Sequence, residues 1–489
     1  MAISGDATVL AVTDNRHPWL PSVPPPYVIA IVELCAAPAV RLTTNIIDCE
    51  PSTVQIGLPV QVRFVPRGEL WIPMFAPRPN APTVAVRFDP TPVTRVRARL
   101  DVPRFEDQVG LSGIGSSLIA RRLPASGLQL TVAACRAAVD DAGLTLADID
   151  GLSAYPGSSG LPGISEGGIR ALEAALGVQP TWHCGAHEVP GQTGNIVMAM
   201  LAVAAGLCRH VLCVTSVSQS ARPGASPRAT GDAVRGELAW QLPFGAASPA
   251  HWIALYASHY LARYGVSRET LGWIAIAARR HAARNPQAIY REPLTLDEYF
   301  AGRPICSPFG LYDCDVPCDG ALAVIVSRLE CARDLRQPVV RVAAVGTQMS
   351  EHQSWDQGSL LYQRNVCAPA AHLWQRTELT AADVDVALLY DGFTFNVLSW
   401  LEALSFCGAG EAADFVANGA RLDLGGALPL NPHGGQLAVG RTNGYGNVVE
   451  AVLQLRGQAA ARQVVGAEVA VVSTGGGIPA GCMLLTRDN

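Results

Sequence analysis

The stretch Leu388-Leu389-Tyr390-Asp391-Gly392-Phe393-Thr394 joins an apolar run over 384–389 to a helix-like run over 395–404. A tyrosine therefore stands where the carboxyl end of a strand hands over to a helix. In open α/β folds that edge collects ligands and catalytic groups. Outward from it, αβ alternation continues in both directions. Strands are expected over 209–217, 320–326, 339–345 and 469–472, and helices over 126–143, 195–205, 250–264 and 267–283. The helix at 195–205 carries Ala199, Ala202, Ala204 and Ala205, small residues that let it pack closely inside a core. Two halves, each with βαβ units and a buried central helix, predict an internally duplicated, layered α/β fold.

The flanking segments differ in kind. Residues 27–34, 41–48, 60–65 and 70–75 alternate like strands between Pro and Gly breaks, which predicts a small barrel. Residues 76–106 are rich in Pro and Arg without helical period, and are expected to form a linker laid across a surface. Residues 218–250 form a polar, Gly/Pro-rich excursion of the kind that becomes a lid or binding loop.

Composition excludes several functions. The chain has 489 residues, 49% hydrophobic and 16% charged, a net charge of −5 and a mean hydropathy of +0.22. This describes a large, well-buried globular protein of two to four domains, with no basic footprint for nucleic acid. Apolar runs such as 196–207 fall short of the ~20 residues a membrane span needs. Residues 1–26 lack the pattern of a signal peptide. The 13 cysteines contain no CxxC pair and sit in apolar segments, which fits reduced thiols in the cytoplasm. Cys314 and Cys318 lack a second pair, and His183 and His187 lack a carboxylate partner, so no metal is expected. All 36 basic residues are arginine. The absence of lysine excludes Schiff-base chemistry, a P-loop lysine and pyridoxal phosphate attachment.

Two resemblances then add specific expectations. Residues 41–65, RLTTNIIDCEPSTVQIGLPVQVRFV, resemble the OB-fold domain of unknown function that accompanies thiolases and acyl-CoA hydratases. Relatives often carry a preceding zinc ribbon with two CxxC pairs; this chain has none, and no zinc is expected. Residues 272–324, GWIAIAARRHAARNPQAIYREPLTLDEYFAGRPICSPFGLYDCDVPCDGALAV, resemble thiolases of the sterol-carrier-protein-x type. So do Asn431-Pro432-His433-Gly434-Gly435 with the following Gly440, and the run Gly475-Gly476-Gly477. The resemblance implies a five-layered αβαβα fold built from two similar halves, usually dimeric. The expected domains are an OB-fold over 1–86, a linker over 87–107 and a thiolase-like domain over 108–489, halved at about 325/326.

Departures from the thiolase pattern carry the function. A thiolase needs a nucleophilic cysteine at the N-terminus of its first buried helix, where the macrodipole lowers the thiol pKa. The matching residues 188–194, EVPGQTG, hold no strong nucleophile, and Cys184 lies upstream. The thiolase acid/base cysteine falls at Ser473. The histidine of the GHP motif falls at Arg441, which cannot act as a base. The Asn or His of the NEAF or HDCF motif falls at Tyr390. Tyr445 stands between two glycines near the lost GHP histidine. An acyl-CoA scaffold without Claisen machinery resembles the lipid-transfer-protein-type aldolases of bacterial steroid side-chain degradation, which work with an OB-fold domain supplied by an enoyl-CoA hydratase partner. Here that domain is fused at the N-terminus. The resemblance implies retro-aldol cleavage of a 17-hydroxy steroid 22-oyl-CoA to a 17-ketosteroid and propionyl-CoA.

That reaction needs no acyl-enzyme. A base takes the β-hydroxyl proton, the Cα–Cβ bond breaks, charge collects on the thioester oxygen, and an acid protonates Cα. Tyr390 and Tyr445 are the expected acid–base pair. A free phenol with a pKa of ~10 is a poor base at neutral pH, so a cation such as Arg441 is expected to lower it. Enolate stabilisation falls to donors around His433, Gly434, Gly435, Arg441, Gly475 and Gly476, at about 2.7–4 kcal/mol for one well-placed donor. No cofactor beyond the CoA thioester substrate is implied, and a homodimer is expected. Three alternatives stay open: a thiolase or acyltransferase using Cys184, a non-catalytic acyl-CoA-binding subunit, and core roles for the two tyrosines. Asp391 is expected to cap a helix rather than enter the chemistry.

Overall fold

The computed structural model describes residues 3–488 except 39, 91–93, 158–163, 167, 186, 221–235, 350–353, 355–357 and 477–478. Residues 221–235 of the expected binding loop over 218–250, and Gly477, therefore lie outside the described residues.

Five N-terminal strands form the barrel: β1 (Asp6–Asn15), β2 (Tyr27–Leu34), β3 (Arg41–Ile46), β4 (Pro59–Arg67) and β5 (Leu70–Pro77). β1 pairs with both β2 and β4, and β5 bridges β3 and β4, which closes the circle. Alternate residues, among them Val9, Val28, Ala30, Val32, Val60 and Phe75, fill the interior. β1 lies outside the expected strands because Ala7, Thr8, Ala11 and Thr13 dilute its apolar alternation. Residues 78–105 form no helix or strand among those described. They run back over the α/β domain, where Gln348 Nε2 donates to the Arg95 carbonyl at 2.8 Å and the Arg263 guanidinium donates to the Asp89 carbonyl.

The first half of the α/β domain runs β6 (Val109–Ser116), α1 (Gly127–Ala142), β7 (Gly151–Tyr155), α2 (Gly168–Leu176), β8 (Trp182–Gly185), α3 (Gly194–Ala204) and β9 (His210–Ser218). Then come α4 (Pro249–Tyr264), α5 (Glu269–Ala282), α6 (Leu296–Ala301), the hairpin β10 (Pro304–Cys306) and β11 (Phe309–Gly310), and β12 (Asp319–Arg328). The second half runs α7 (Leu329–Ala332), β13 (Val340–Gly346), α8 (Gln363–Gln375), β14 (Val386–Leu388), α9 (Thr394–Ala403) and α10 (Ala412–Val416). It closes with α11 (Gly435–Ala438), α12 (Tyr445–Leu455), β15 (Val469–Thr474) and β16 (Gly481–Arg487). Local signals set the boundaries. Ser126 and Gln129 form a reciprocal capping box at the head of α1, and Gly143, at φ +74°, ends it in the left-handed region.

The strands lie in the order β14-β15-β16-β13-β6-β12-β9-β7-β8. The duplication is visible in the pairing. In the first half β7 lies parallel between β9 and β8; in the second, β14 lies parallel to β15, and Leu430 makes a parallel bridge to Ala387 where a third strand would start. Two-residue alternation assigns the layers. On β12, Leu322, Val324 and Val326 face the central helices α3 and α12, while Ala321, Ala323 and Ile325 face α1. On β15 and β16, Val472 and Met483 face the same central helices, and Val471 and Leu484 face the outer layer with α8 and α9. The result is the five-layered αβαβα fold.

The barrel is docked by sheet continuation and by buried polar contacts. β10 pairs with β1 at Asn15↔Cys306. Asn15 Oδ1 accepts from Trp19 Nε1 at 3.0 Å and from His251 Nε2 on α4 at 3.1 Å, while His251 Nδ1 accepts from Ser248 N at 3.2 Å. With both nitrogens used in the neutral form, burial pushes the His251 imidazole down to about 3. An unfolded histidine titrates near 6.5 and takes up a proton that the folded one refuses. The stability this provides is complete above pH 6.5 and is lost on acidification towards the folded value. His251→Gln should therefore flatten the fall in stability between pH 7.5 and 5 by about 2 kcal/mol. Parallel pH profiles for denaturant unfolding of the two proteins would contradict this account of the joint.

Candidate active site

Tyr390 sits just past β14, held by Ser473 and Asn431. Its backbone N–H donates to Ser473 Oγ at 3.0 Å. Asn431 clamps the preceding residue at both ends, accepting from Leu389 N and donating to Leu389 O, each at 2.9 Å. The phenol ring lies in a cradle of glycines. A side chain on Gly392 or Gly476 would meet the Tyr390 ring at 2.7 or 3.2 Å, and one on Gly444 would come within 3.6 Å of it. These glycines make room for an aromatic ring. The phenol oxygen accepts from Gln192 Nε2 at 3.2 Å, across the boundary between the two halves. Gln192 lies in the loop ahead of α3, in the stretch that matches the thiolase nucleophile.

Electrostatics keep this phenol protonated. Burial and then the Asp315 carboxylate hold Tyr390 well above its ordinary pKa, while Arg441 and the Gln436 amide pull it down. Arg441 does not win, because Nε donates to Asp315 Oδ2 at 2.7 Å and Nη2 donates to the other carboxylate oxygen. A bidentate pair leaves little net charge to act on a neighbour. This corrects the expectation that Arg441 lowers a catalytic phenol into the neutral range.

Tyr445 stands one layer deeper, at the first turn of α12, with no accessible surface. Its hydroxyl donates to Asn195 Oδ1 on α3 at 2.7 Å, tying together the N-terminal ends of the two central helices. Burial pushes its phenol well up too. Tyr155, at the end of β7, lies within electrostatic range of both phenols and stacks on His187 with ring centroids 6.3 Å apart.

The remaining candidates divide. Asp391 caps α11, accepting from Gln436 N at 2.9 Å and Leu437 N at 3.4 Å; burial pushes its carboxyl up to about 7 against these bonds. Gly435, at φ +63°, has room only for hydrogen, since a side chain would land on that carboxylate. Gly434 N donates to Asn431 O at 2.8 Å. The head of α11 thus has three amides already committed and is a poor oxyanion site. His433 is buried, its imidazole pushed down by burial to about 4, and its Nδ1 has no partner among the described residues. Gly476 remains beside Tyr390, and Trp400 Nε1 donates to the carbonyl of the preceding Gly475 at 3.2 Å. Cys184 lies on the edge strand β8, and burial raises its thiol, the opposite of what activates a nucleophile. Gln192, Gln436 and Asp315 were missed. Gln192 lies within residues 188–194, where a glutamine leaves no sequence signal of its role because it is not a nucleophile.

The architecture is that of the thiolase superfamily, with the Claisen residues replaced. Residues 347–484 match the family model "Thiolase C-terminal domain-like", and residues 1–65 match "ChsH2, C-terminal OB-fold domain". The chain is 34% identical to the steroid side-chain-cleaving aldolase of Thermomonospora curvata over 392 residues, which is 77% of this chain and 97% of that protein. It is 33% identical to the 17-hydroxy-3-oxo-4-pregnene-20-carboxyl-CoA lyase of Mycobacterium tuberculosis over 389 residues, covering 77% and 99%. Among solved structures, the Ltp2-ChsH2(DUF35) aldolase superposes with a TM-score of 0.68 at 31% identity, covering 78% of this chain and 98% of that one. The chain belongs to the steroid side-chain-cleaving aldolases, carbon–carbon lyases of the thiolase superfamily.

One measurement tests the electrostatics. Asp315→Asn removes a negative charge beside Tyr390 and releases Arg441, so the Tyr390 pKa should fall by about 1–2 units. The check is the phenolate absorbance titration of Asp315→Asn against Asp315→Asn/Tyr390→Phe. An unchanged Tyr390 titration would contradict the locking of Arg441.

Proposed function

We propose that the protein cleaves a 17-hydroxy steroid 22-oyl-CoA by retro-aldol chemistry, releasing a 17-ketosteroid and propionyl-CoA. The reaction balances without a co-reactant: the β-hydroxyl proton leaves oxygen, the Cα–Cβ pair becomes the enolate, and Cα regains one proton. The observation that carries this reading is the neutral phenol of Tyr390 at the head of the two central helices, where a thiolase places its chemistry. Tyr390 and Tyr445 form the acid–base pair. Because Gln192 occupies a lone pair of the Tyr390 oxygen, the Tyr390 proton is the one available to Cα. Tyr445 donates to an amide oxygen and keeps its lone pairs for the incoming hydroxyl proton. The balance closes when the proton that Tyr445 takes from the hydroxyl is returned to Tyr390 in place of the one delivered to Cα, so both phenols end the turnover neutral. Positive helix ends at α3 and α12, and the Gly475–Gly476 backbone, favour charge on the thioester oxygen.

Incubation with the 17-hydroxy steroid 22-oyl-CoA should yield ketosteroid and propionyl-CoA by mass spectrometry. Tyr390→Phe and Tyr445→Phe should each lower kcat by about 10²–10⁴ with the fold retained. Full turnover by either variant removes that residue from the pair.

The quaternary reading rests on the open edge of the sheet at β8. Beside that strand Met198, Leu201 and Leu207 are 37%, 43% and 56% exposed. A second copy pairing along β8 covers them, making a homodimer, and an enoyl-CoA hydratase is the class of partner whose product would carry the β-hydroxyl. All thirteen cysteines are free, which fits a cytoplasmic protein, and no helix among the described residues is long and apolar enough to cross a membrane. Leu201→Arg should convert the dimer to monomer in sedimentation velocity; a wild-type monomer would overturn the assignment.

A further inference from the structure

Gln192 has no role in the chemistry so far except as the donor to Tyr390, yet its amide is only half used. Nε2 meets the phenol oxygen at 3.2 Å, while Oε1 is buried and has no hydrogen-bond partner among the described residues. Buried polar atoms in folded proteins are almost always paired, so an orphan acceptor beside a reacting group calls for a donor that the folded chain does not itself supply. The loop that carries Gln192 is well fixed. Thr193 Oγ1 and Thr474 Oγ1 share a hydrogen bond of 3.0 Å, and a side chain on Gly191 would strike Thr474 and Gly481. The amide is therefore held between the head of α3 and the end of β15, with one end on the acid and the other end unpaired. Its oxygen and nitrogen are assigned from this hydrogen bonding; in the exchanged orientation one end would still face the phenol and the other would still be unpaired.

We infer that Gln192 is the positioning residue of the reaction, bridging the Tyr390 phenol and the substrate's β-hydroxyl. This rests on the aldolase reading above. In a β-hydroxyacyl thioester the β-hydroxyl is the one O–H donor attached to the breaking bond, and Oε1 accepts from it in the bound complex, before that proton passes to Tyr445. Nε2 at the same time fixes the phenol so that its proton points to Cα, and it stabilises the phenolate while that proton is away. One amide thus orients both the hydroxyl that loses a proton and the phenol that delivers one. The bridging also supplies specificity, because a 17-deoxy acyl-CoA leaves Oε1 unpaired and loses the contact that aligns the bond to be broken.

The test compares wild type, Gln192→Leu and Gln192→Glu. It measures cleavage of the 17-hydroxy steroid 22-oyl-CoA and binding of its uncleavable 17-deoxy analogue. Gln192→Leu should lower kcat/KM by about 10–100-fold, as expected for a lost hydrogen bond to a reacting group. Its affinity for the deoxy analogue should stay within about threefold of wild type, since no hydroxyl contact is there to lose. Equal losses for both ligands, or unchanged kcat/KM, overturn the inference. Where Gln192→Leu does not fold, Gln192→Glu decides. It keeps an acceptor and loses the donor, so kcat should fall at least about tenfold while KM stays within about threefold; unchanged kcat overturns the inference. Failure of the wild-type enzyme to cleave the substrate at all would be a failure of the aldolase reading instead.

Discussion

Burial keeps the Tyr390 phenol protonated, and most of the site's design follows from that constraint. A phenol in a dry cradle, next to a carboxylate whose counter-charge is committed, cannot act as a free base at neutral pH. The nearby arginine does not change this, because Asp315 holds it in a bidentate pair. What a neutral phenol does well is donate, and accept a second proton as its own departs. Retro-aldol cleavage needs that behaviour: it moves one proton from oxygen to carbon and ends with no net charge. A thiolase needs the opposite, a standing thiolate at a helix N-terminus. The same scaffold serves both because its fixed contribution is two helix N-termini converging on one point.

Positions that depart from the thiolase pattern, and Asn431 which keeps it, take up supporting tasks around Tyr390. Ser473 receives the Tyr390 backbone N–H. The former nucleophile loop supplies Gln192. Asn431 clamps Leu389 and thereby sets where the phenol begins. The tie between Tyr445 and Asn195 holds the two central helices in register, so the cradle built from both halves stays closed. The barrel works at a distance, gripping α4 through Asn15 and His251 and extending its sheet into the β10–β11 hairpin.

Much of this was legible in the sequence because it is locally encoded. Ser126 with Gln129 and Gly143 marks α1, and the alternation over 27–75 marks four of the five barrel strands. Tyr390 was legible too, through its strand-to-helix position. Illegible were the contacts between residues far apart in the chain. Arg441 with Asp315 and Gln192 with Tyr390 are separated by 126 and 198 residues, and neither pair leaves a local pattern. The expectation for Arg441 failed for that reason: a cation can be placed by sequence, but its counter-ion cannot. The run His433-Gly434-Gly435 reads in sequence as site lining, whereas its backbone mainly shapes the turn into α11 around the Asp391 carboxylate. That, too, depends on a contact some 45 residues away.

The central claim is that proton transfer alone, without an acyl-enzyme, breaks the carbon–carbon bond. Running the cleavage in heavy water and weighing both product and protein tests it most directly. The account predicts propionyl-CoA carrying one deuterium at Cα and a protein whose intact mass never changes during turnover. Acylated protein under steady-state turnover, or propionyl-CoA formed without solvent deuterium, would contradict it.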